Sequence, residues 1–305
     1  MLEQYDLFTT NAGAAGYRLS YMEIFNWGTF NKDDKWGSEV IATAVTSVTA
    51  TSDVSFTGDC SELFKGFGNC TSMDLNNVNT SSVTSMSNMF ENCSSLTSLD
   101  LSNWNTDDVN ILNNMFKSCT SLRNVDVSNF NTSMVYTMYS MFQDCSSLVR
   151  LDLSGWDTRN GTDMASMFSG CSKLRTICVG GGWTTRFVFD SNSMFYGCTS
   201  LVGGMGTTYD PNHTDKEYAH LDGGPDNPGY FSDANAVVVV PGDVDGDGEV
   251  TTVDITAIYN YLLNGDETFI TTSDVDGDGF ITTTDITVIY NILLGSKGGV
   301  SSEDN

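Results

Sequence analysis

The sequence has no long hydrophobic run and few basic residues. Its longest β-rich apolar run, Val237–Val240, is far shorter than the roughly 20 residues that cross a bilayer, so we expect no membrane span. Only 13 Lys and Arg stand against 39 Asp and Glu. Phosphate binding needs a basic surface, so we expect no nucleic-acid partner.

Residues 1–10 contain no basic region followed by an apolar stretch, and therefore no secretory signal. We expect either a protein that stays inside the cell or a chain that begins downstream of its natural start.

Histidine is scarce as well, since His213 and His220 are the two that the chain contains. Two histidines alone are more often structural than metal-binding. No convincing set of nucleophile and base accompanies them, and no G-x-x-x-x-G-K-[ST] loop for phosphate binding occurs. The sequence therefore predicts no catalytic residues and no enzymatic activity.

The chain does contain a repeat of 26 residues. The dipeptide Met-Phe recurs at 89–90, 115–116, 141–142, 167–168 and, after 27 residues, 194–195. Each methionine is followed four positions later by a cysteine, and Leu96, Leu122 and Leu148 then open strand-like segments. One unit cannot bury its own apolar face, but units stacked at roughly 4.8 Å per strand build a continuous core. The period and pattern predict a leucine-rich-repeat solenoid with one β-strand per repeat.

The repeat unit "MFENCSSLTSLDLSNWNT", which begins at Met89, resembles the surface-protein repeat of BspA-like leucine-rich-repeat proteins. The resemblance covers residues 56–231, and residues 206–231 are similar to the closing element of that family. It implies a bacterial cell-surface or secreted protein, often adhesive. A fold alone does not fix a function, so the ligand stays open.

Stacking also predicts two rows of side chains. Cysteines of successive units lie one above another, and parallel inward side chains favour free thiols, although the distance alone does not exclude a disulfide. Cys178 takes the outward position that aspartate holds in other units, so we expect it to be exposed. An outward acidic row consists of Asp74, Asp100, Asp126 and Asp152. It binds a cation or a basic ligand, or else it is a solvated or hydrogen-bonded stripe. We favour the solvated or hydrogen-bonded stripe.

The C-terminal part carries a duplicated loop. "DVDGDGEVTTVD" at 243–254 recurs 31 residues later as "DVDGDGFITTTD" at 274–285. Carboxylates at positions 1, 3, 5 and 12 with glycine at position 6 supply the oxygen ligands that Ca²⁺ prefers, so we expect two calcium ions. The predicted ligands are Asp243, Asp245, Asp247, the Glu249 carbonyl, Thr251 and Asp254 in the first loop. In the second loop they are Asp274, Asp276, Asp278, the Phe280 carbonyl, Thr282 and Asp285.

Each loop opens a predicted helix with a one-sided apolar stripe, Ile255, Ile258, Leu262 and Leu263 in the first and Ile286, Ile289, Leu293 and Leu294 in the second. Pro241 and Gly242 leave no room for an entering helix. Loop and exiting helix, duplicated, resemble a type I dockerin. Aspartate at position 12 agrees with that family, whereas threonine at position 9 departs from its common asparagine.

The dockerin resemblance implies a cohesin-bearing scaffold protein as partner. Its contact positions correspond here to Thr252, Val253, Tyr259, Asn260, Thr283, Thr284, Tyr290 and Asn291. Core packing is the alternative role for the two tyrosines.

Residues 16–31, "GYRLSYMEIFNWGTFN", differ from the repeat and resemble the opening strands of condensin-like ATPases. Because no phosphate-binding loop follows, we interpret this part as a foreign or joined segment. The predicted layout is 1–38 unassigned, 39–62 N-terminal cap, 63–205 repeats, 206–235 C-terminal cap, 236–242 linker, 243–296 dockerin and 297–305 tail.

The sequence thus predicts a non-catalytic, extracellular or cell-surface binding protein. Its repeat face binds an unknown protein or glycan ligand, and its dockerin docks to a cohesin. The alternative is a cohesin-docked component of a polysaccharide-degrading complex.

Overall fold

The computed structural model describes residues 21–24, 29–30, 45–50, 54–234, 242–244, 250–264, 275 and 281–297. The chain divides into two compact units, residues 1–236 and 237–305. The first is a solenoid of short parallel strands, and the second contains two helices, α1 (Thr252–Asn264) and α2 (Thr283–Lys297). Among the described residues, no helix has the length and apolar character needed to cross a membrane.

The strands of the solenoid are β1 (Tyr21–Ile24), β2 (Thr29–Phe30), β3 (Ser47–Ala50), β4 (Ser55–Asp59), β5 (Ser72–Asp74), β6 (Asn79–Ser85), β7 (Ser98–Asp100), β8 (Asn124–Asp126), β9 (Arg150–Leu153), β10 (Thr176–Val179) and β11 (Phe231–Asp233). The parallel sheets have the orders β1-β3-β5, β2-β4-β6, β7-β8 and β11-β10-β9. Leu99 pairs with Val125 and Leu151 with Ile177, so equivalent residues of successive repeats lie side by side. The predicted strand per repeat is confirmed.

A second parallel ladder lies about half a repeat further along each turn. It consists of single β-bridges that join Ser85, Ile111, Thr137, Asp163 and Asp190 in succession. This ladder was not expected from the sequence, because one bridge per turn has no period-2 pattern of its own. Each turn is therefore hydrogen-bonded to its neighbours at two places.

The core between the ladders is a column of phenylalanine rings. Neighbouring rings are 5.4 to 5.9 Å apart between centroids and within 13° of parallel, from Phe64 through Phe90, Phe116, Phe142 and Phe168 to Phe195. These side chains are fully buried. The 26-residue period thus places each ring on the ring of the previous turn.

The cysteine row has a specific hydrogen bond that explains its residue type. Cys119 Sγ donates to the Phe90 carbonyl at 3.1 Å, and Cys145 Sγ donates to the Phe116 carbonyl at the same distance. All eight cysteines are free and buried. Burial raises the pKa of the Cys198 thiol to about 12, so this thiol stays protonated and acts as a small buried donor.

The expected exposure of Cys178 is wrong. It occupies the aspartate position as expected, since it pairs with Asp152, but its accessible fraction is 0%. Its strand is flanked on the other side by β11, where Cys178 pairs with Ser232. Burial raises the pKa of the Cys178 thiol as well. The closing element, which the repeat pattern does not contain, removes this position from the surface.

The closing element is organised by one carboxylate. Asp222 accepts hydrogen bonds from the backbone N–H of Met205, Thr207 and Gly224 and from the Thr207 hydroxyl, at 2.7 to 2.9 Å. Burial alone raises the pKa of Asp222, but these donors outweigh it and lower the pKa to about 2. Asp222 therefore stabilises the end of the solenoid in its ionised form.

Strands also occur upstream of the expected cap. β1 pairs with β3 in parallel, with Tyr21 beside Ser47, and β2 pairs with β4, with Thr29 beside Ser55. β3 and β4, which lie in the segment 39–62, thus have neighbours on both sides. Part of the segment 1–38 continues both ladders, while its foreign origin stays a hypothesis.

We predict that Phe142→Ala lowers the free energy of unfolding of the repeat unit by about 3–5 kcal/mol, because it leaves a gap in the ring column. All five tryptophans precede residue 236, so tryptophan fluorescence during guanidinium unfolding follows the repeat unit alone. Phe189→Ala, at a position 88% exposed, is the control and should change this free energy by less than about 0.5 kcal/mol. If both substitutions lowered the free energy of unfolding equally, the stabilising role of the ring column would be contradicted.

We predict that Asp222→Asn lowers the free energy of unfolding of the repeat unit by about 2 kcal/mol at pH 7. The carboxyl pKa is 3.8 in the unfolded chain and about 2 in the folded one, and this difference sets the size of the effect. Because the pKa is lower in the folded state, the ionised carboxylate stabilises the fold at every pH above the unfolded pKa. This stabilisation is lost as the pH falls through the folded pKa of about 2. The difference between wild type and variant should therefore shrink from pH 4 to pH 2 in the same fluorescence assay. Asp226→Asn, an exposed neighbour, is the control, and a pH-independent difference would refute the assignment.

Candidate functional site

The C-terminal unit has a small core of its own. Val244, Ile255, Ala257, Ile258, Ile286 and Ile289 are buried together, and Leu293 packs against them. The expected stripes are confirmed for the isoleucines and wrong for Leu262, Leu263 and Leu294, which are 37%, 76% and 65% exposed. Within the described part of this unit, two helices enclose a narrow core that leaves these three leucines outside it.

The position-12 aspartates connect the start and the end of each loop. Asp254 accepts the N–H of Val244 at Oδ1 and the N–H of Thr251 at Oδ2, both at 2.6 Å. Asp285 makes the equivalent bonds to Val275 and Thr282, at 2.7 and 2.8 Å. Loop positions 2, 9 and 12 are thus brought together in the same way in both halves.

The buried charge of this unit fits a bound cation. Asp254 and Asp285 are 0% exposed and Asp243 is 8% exposed, whereas residues 241–305 contain one basic residue, Lys297. Buried carboxylates are stable when they are paired or coordinate a metal. Each carboxylate oxygen has two lone pairs, so an oxygen that accepts one N–H keeps a second for a metal ion. Calcium would supply the missing positive charge here.

Several predicted ligands lie outside the described residues, namely Asp245, Asp247, Glu249, Asp274, Asp276, Asp278 and Phe280. Within the described part of the chain, no group of three or more metal-ligating acids, cysteines or histidines is present. Thr251 and Thr282 are half-buried beside the position-12 carboxylates. Their assignment as calcium ligands stays a prediction.

Gly242 joins the two halves of the unit. Its φ is +94°, and a Cβ atom there would lie 2.9 Å from Ile292 Cδ1 and 3.2 Å from Val250 Cγ1. The residue before the first loop thus packs closely against α2. This contact adds to the shared core, in which Ile255 and Ile258 of α1 pack with Ile286 and Ile289 of α2, so both halves contribute to one core.

One face of each helix is exposed and apolar. Val253, Tyr259 and Leu263 of α1 are 46%, 47% and 76% exposed, and Tyr290 and Leu294 of α2 are 52% and 65% exposed. All eight sequence-predicted contact residues are exposed: Thr252, Val253, Tyr259, Asn260, Thr283, Thr284, Tyr290 and Asn291. The alternative of core packing for the tyrosines is therefore wrong. Leu263 and Leu294 were expected in the core rather than on this face, although each lies four residues after an exposed tyrosine, at the same place in both halves.

The acidic row of the repeats is hydrogen-bonded locally. Each aspartate accepts, at Oδ1, the N–H of the residue two positions later, at 3.3 Å for Asp74, 2.9 Å for Asp100, 3.0 Å for Asp126 and 2.9 Å for Asp152. This geometry agrees with the stripe that we favoured, in which each carboxylate fixes the turn after its strand.

The two histidines have local partners. His213 stacks on Tyr218 with ring centroids 4.3 Å apart and lies 2.9 Å from a Glu217 oxygen. His220 Nδ1 lies 2.8 Å from the Leu221 carbonyl. Both belong to the closing element, as expected.

A family model matches each of the two units. Residues 58–177 and 124–216 match the family described as "Mycoplasma protein of unknown function, DUF285", and residues 241–294 match the type I dockerin domain. No curated protein matches the chain. A crystal structure of a leucine-rich repeat protein from Bacteroides ovatus is 11% identical, with a TM-score of 0.20, over 65% of this chain and 81% of that one.

The repeats are BspA-like leucine-rich repeats, and calcium binding follows from the dockerin match. The chain carries a C-terminal type I dockerin domain. Because the two repeat matches together cover more than half of the chain, the chain belongs to the family of Mycoplasma proteins of unknown function, DUF285.

Proposed function

We propose that the protein is a non-catalytic, adhesin-like protein of the cell surface or the extracellular space. Its repeat unit binds a protein or glycan ligand, and its calcium-loaded dockerin docks onto a cohesin. The observation that supports docking most directly is the repeated exposed face of the two helices, with Tyr259 and Leu263 on α1 and Tyr290 and Leu294 on α2.

Exposed aromatic and aliphatic side chains have an unfavourable hydration free energy, which a partner that covers them would remove. Each exposed tyrosine and leucine offers apolar area that a partner buries at roughly 25 cal/mol per Å². Tyrosine is enriched at the centres of interfaces, where its ring packs and its hydroxyl stays hydrogen-bonded. The polar neighbours Thr252 and Asn260 on α1, with Thr283 and Asn291 on α2, supply hydrogen-bonding groups beside these apolar residues.

Calcium prepares this face by fixing the loops from which the helices begin. Asp254 and Asp285 lie in the first turns of α1 and α2, so a cation held by these carboxylates ties each helix to its loop. We propose two ions, one per loop, with the twelve loop residues named above as ligands. Extracellular calcium near millimolar levels saturates even weak sites of this type, which favours a setting outside the cell.

We predict that calorimetric titration of the full chain with CaCl₂ gives two ions per molecule. Asp254→Asn and Asp285→Asn should each reduce this number to one, because each removes the charge of a position-12 ligand while keeping its size. Asp226→Asn in the other unit is the matched control and should leave the number at two. An unchanged stoichiometry in both loop variants would contradict the proposed ligand sets.

We predict that the full chain binds at least one member of a panel of type I cohesins in calcium and loses this binding in EDTA. Because the two helices expose the same residue types, the decisive variant combines Tyr259→Ala, Leu263→Ala, Tyr290→Ala and Leu294→Ala. It should weaken cohesin binding at least 100-fold. Each truncation is expected to cost about 1 kcal/mol of binding free energy, and about 2.7 kcal/mol in total corresponds to 100-fold.

Tyr196→Ala, at an exposed position of the repeat unit, is the control for cohesin binding. Surface plasmon resonance measures all three proteins. No binding to any cohesin, or binding that persists in EDTA, would argue against docking by this module.

A further inference from the structure

A second exposed apolar surface lies on the repeat unit, beside the ladder of single bridges. Its side chains are Met134, Tyr136, Phe187 and Phe189, which we call the aromatic row, and they are 59%, 44%, 52% and 88% exposed. Neither the family match nor the dockerin assigns a role to them. Four large apolar side chains grouped at one edge of a rigid scaffold mark a candidate binding surface.

The ladder fixes the spacing of the row. Thr162 N–H donates to the Tyr136 carbonyl at 2.8 Å, and Phe189 N–H donates to the Thr162 carbonyl at 2.8 Å. Tyr136 and Phe189 therefore hold the same position in turns that are separated by the single turn of Thr162. At roughly 4.8 Å per rung, their backbones lie about 9.6 Å apart along the stack. Met134 and Phe187 repeat this relation two residues earlier, with Asn160 between them.

Polar groups separate the rings. Asn160 is exposed and Thr162 is half-buried, so two aromatic platforms flank a strip of amide and hydroxyl. Arg186 lies over the Phe187 ring, 5.3 Å from its centroid, and covers one face of it. The faces of Tyr136 and Phe189 are the main platforms that remain for a ligand.

The charge of the row points to an uncharged ligand. Its members and the intervening Asn160 and Thr162 are neutral. The neighbouring Arg159 pairs with Asp157 at 2.7 Å, and Arg186 adds one positive charge beside Phe187, whereas the chain carries a net charge of −26. A polyanion would therefore gain little from this surface and be repelled by the chain, and a neutral polymer is not repelled. A protein partner is favoured by one contiguous apolar patch with a polar rim, which the polar turn at Asn160 and Thr162 interrupts.

We propose that the aromatic row binds an extended, neutral, β-1,4-linked polysaccharide that runs along the stack of turns. In such a chain alternate sugar rings turn the same face to one side, so alternate rings stack on Tyr136 and Phe189. The ring between them lies over Thr162 and Asn160. The Thr162 hydroxyl donates to the Tyr136 carbonyl at 2.9 Å and Asn160 Nδ2 donates to the Ser133 carbonyl at 2.6 Å, so their side-chain oxygens are the groups that accept hydrogen bonds from the sugar hydroxyls. This inference rests on the proposed function of the repeat unit as a ligand-binding scaffold, and it names the class of ligand.

The test is native affinity electrophoresis of the full chain in gels that contain hydroxyethylcellulose, xylan or glucomannan, with polygalacturonate as the acidic comparison. We expect at least one neutral polymer to retard the wild-type chain, both in calcium and in EDTA, and polygalacturonate not to. Tyr136→Ala and Phe189→Ala should each weaken retention roughly 10-fold.

Matched variants separate stacking from other effects. Tyr136→Phe and Phe189→Tyr keep the ring and should retain binding within about twofold. Tyr196→Ala removes an exposed tyrosine of the same turn as Phe189, 64% exposed and outside the row, and should bind as the wild type does. All these positions are exposed, so the variants should fold, and tryptophan fluorescence checks this.

The proposal is overturned if no neutral polymer retards the chain, if the two alanine variants bind normally, or if Tyr196→Ala weakens binding equally. Retention of the acidic polymer alone also overturns it. Measuring cohesin binding by the Tyr136→Ala and Phe189→Ala variants distinguishes failure of the polysaccharide proposal from failure of the docking proposal. The row variants should dock as wild type does, and a chain that fails to dock should still be retarded.

Discussion

Each turn of the repeat unit is stable only because the next turn covers it. The phenylalanine column is the clearest expression of this constraint, since every ring from Phe90 to Phe168 has a parallel ring on both sides. The cysteine thiols add a hydrogen bond across each junction, for example from Cys171 to the Phe142 carbonyl at 3.0 Å. Burial and hydrogen bonding thus act between neighbours, as expected for a solenoid.

This constraint separates structure from recognition within one repeat. The inward positions are fixed by stacking and carry the same residue types in nearly every turn. The outward positions are free to vary, and there Tyr136 and Phe189 replace the small polar residues Thr84 and Thr162 at the same place in other turns. The proposed binding surface therefore requires only a few outward substitutions on an unchanged scaffold.

The C-terminal unit solves a different problem. It is too small to bury a large core, and it places three acidic side chains in its interior. In the proposed calcium-loaded form, a divalent cation offsets that charge and connects each loop to its helix, so the same ion would stabilise the fold and position the exposed tyrosines. Its stability and its docking are expected to depend together on calcium.

The repeat period, the strand positions and the calcium-binding dockerin domain were predictable because each has a strong local signal. The period of 26 residues marks the stacked units, and carboxylates at fixed spacing mark the loops. The isoleucines of the small core also followed from helical spacing. Leu262, Leu263 and Leu294 did not, because an apolar stripe does not state how much of it a partner element covers.

The sequence by itself determined which residues repeat, and therefore which side chains stack on one another, because that relation depends on spacing along the chain. Only the tertiary structure decided exposure. It placed β11 beside Cys178 and left Tyr259 and Tyr290 uncovered, and it aligned Tyr136 with Phe189 across a polar turn. Burial depends on what packs against a residue from elsewhere in the chain, and no local pattern contains that information.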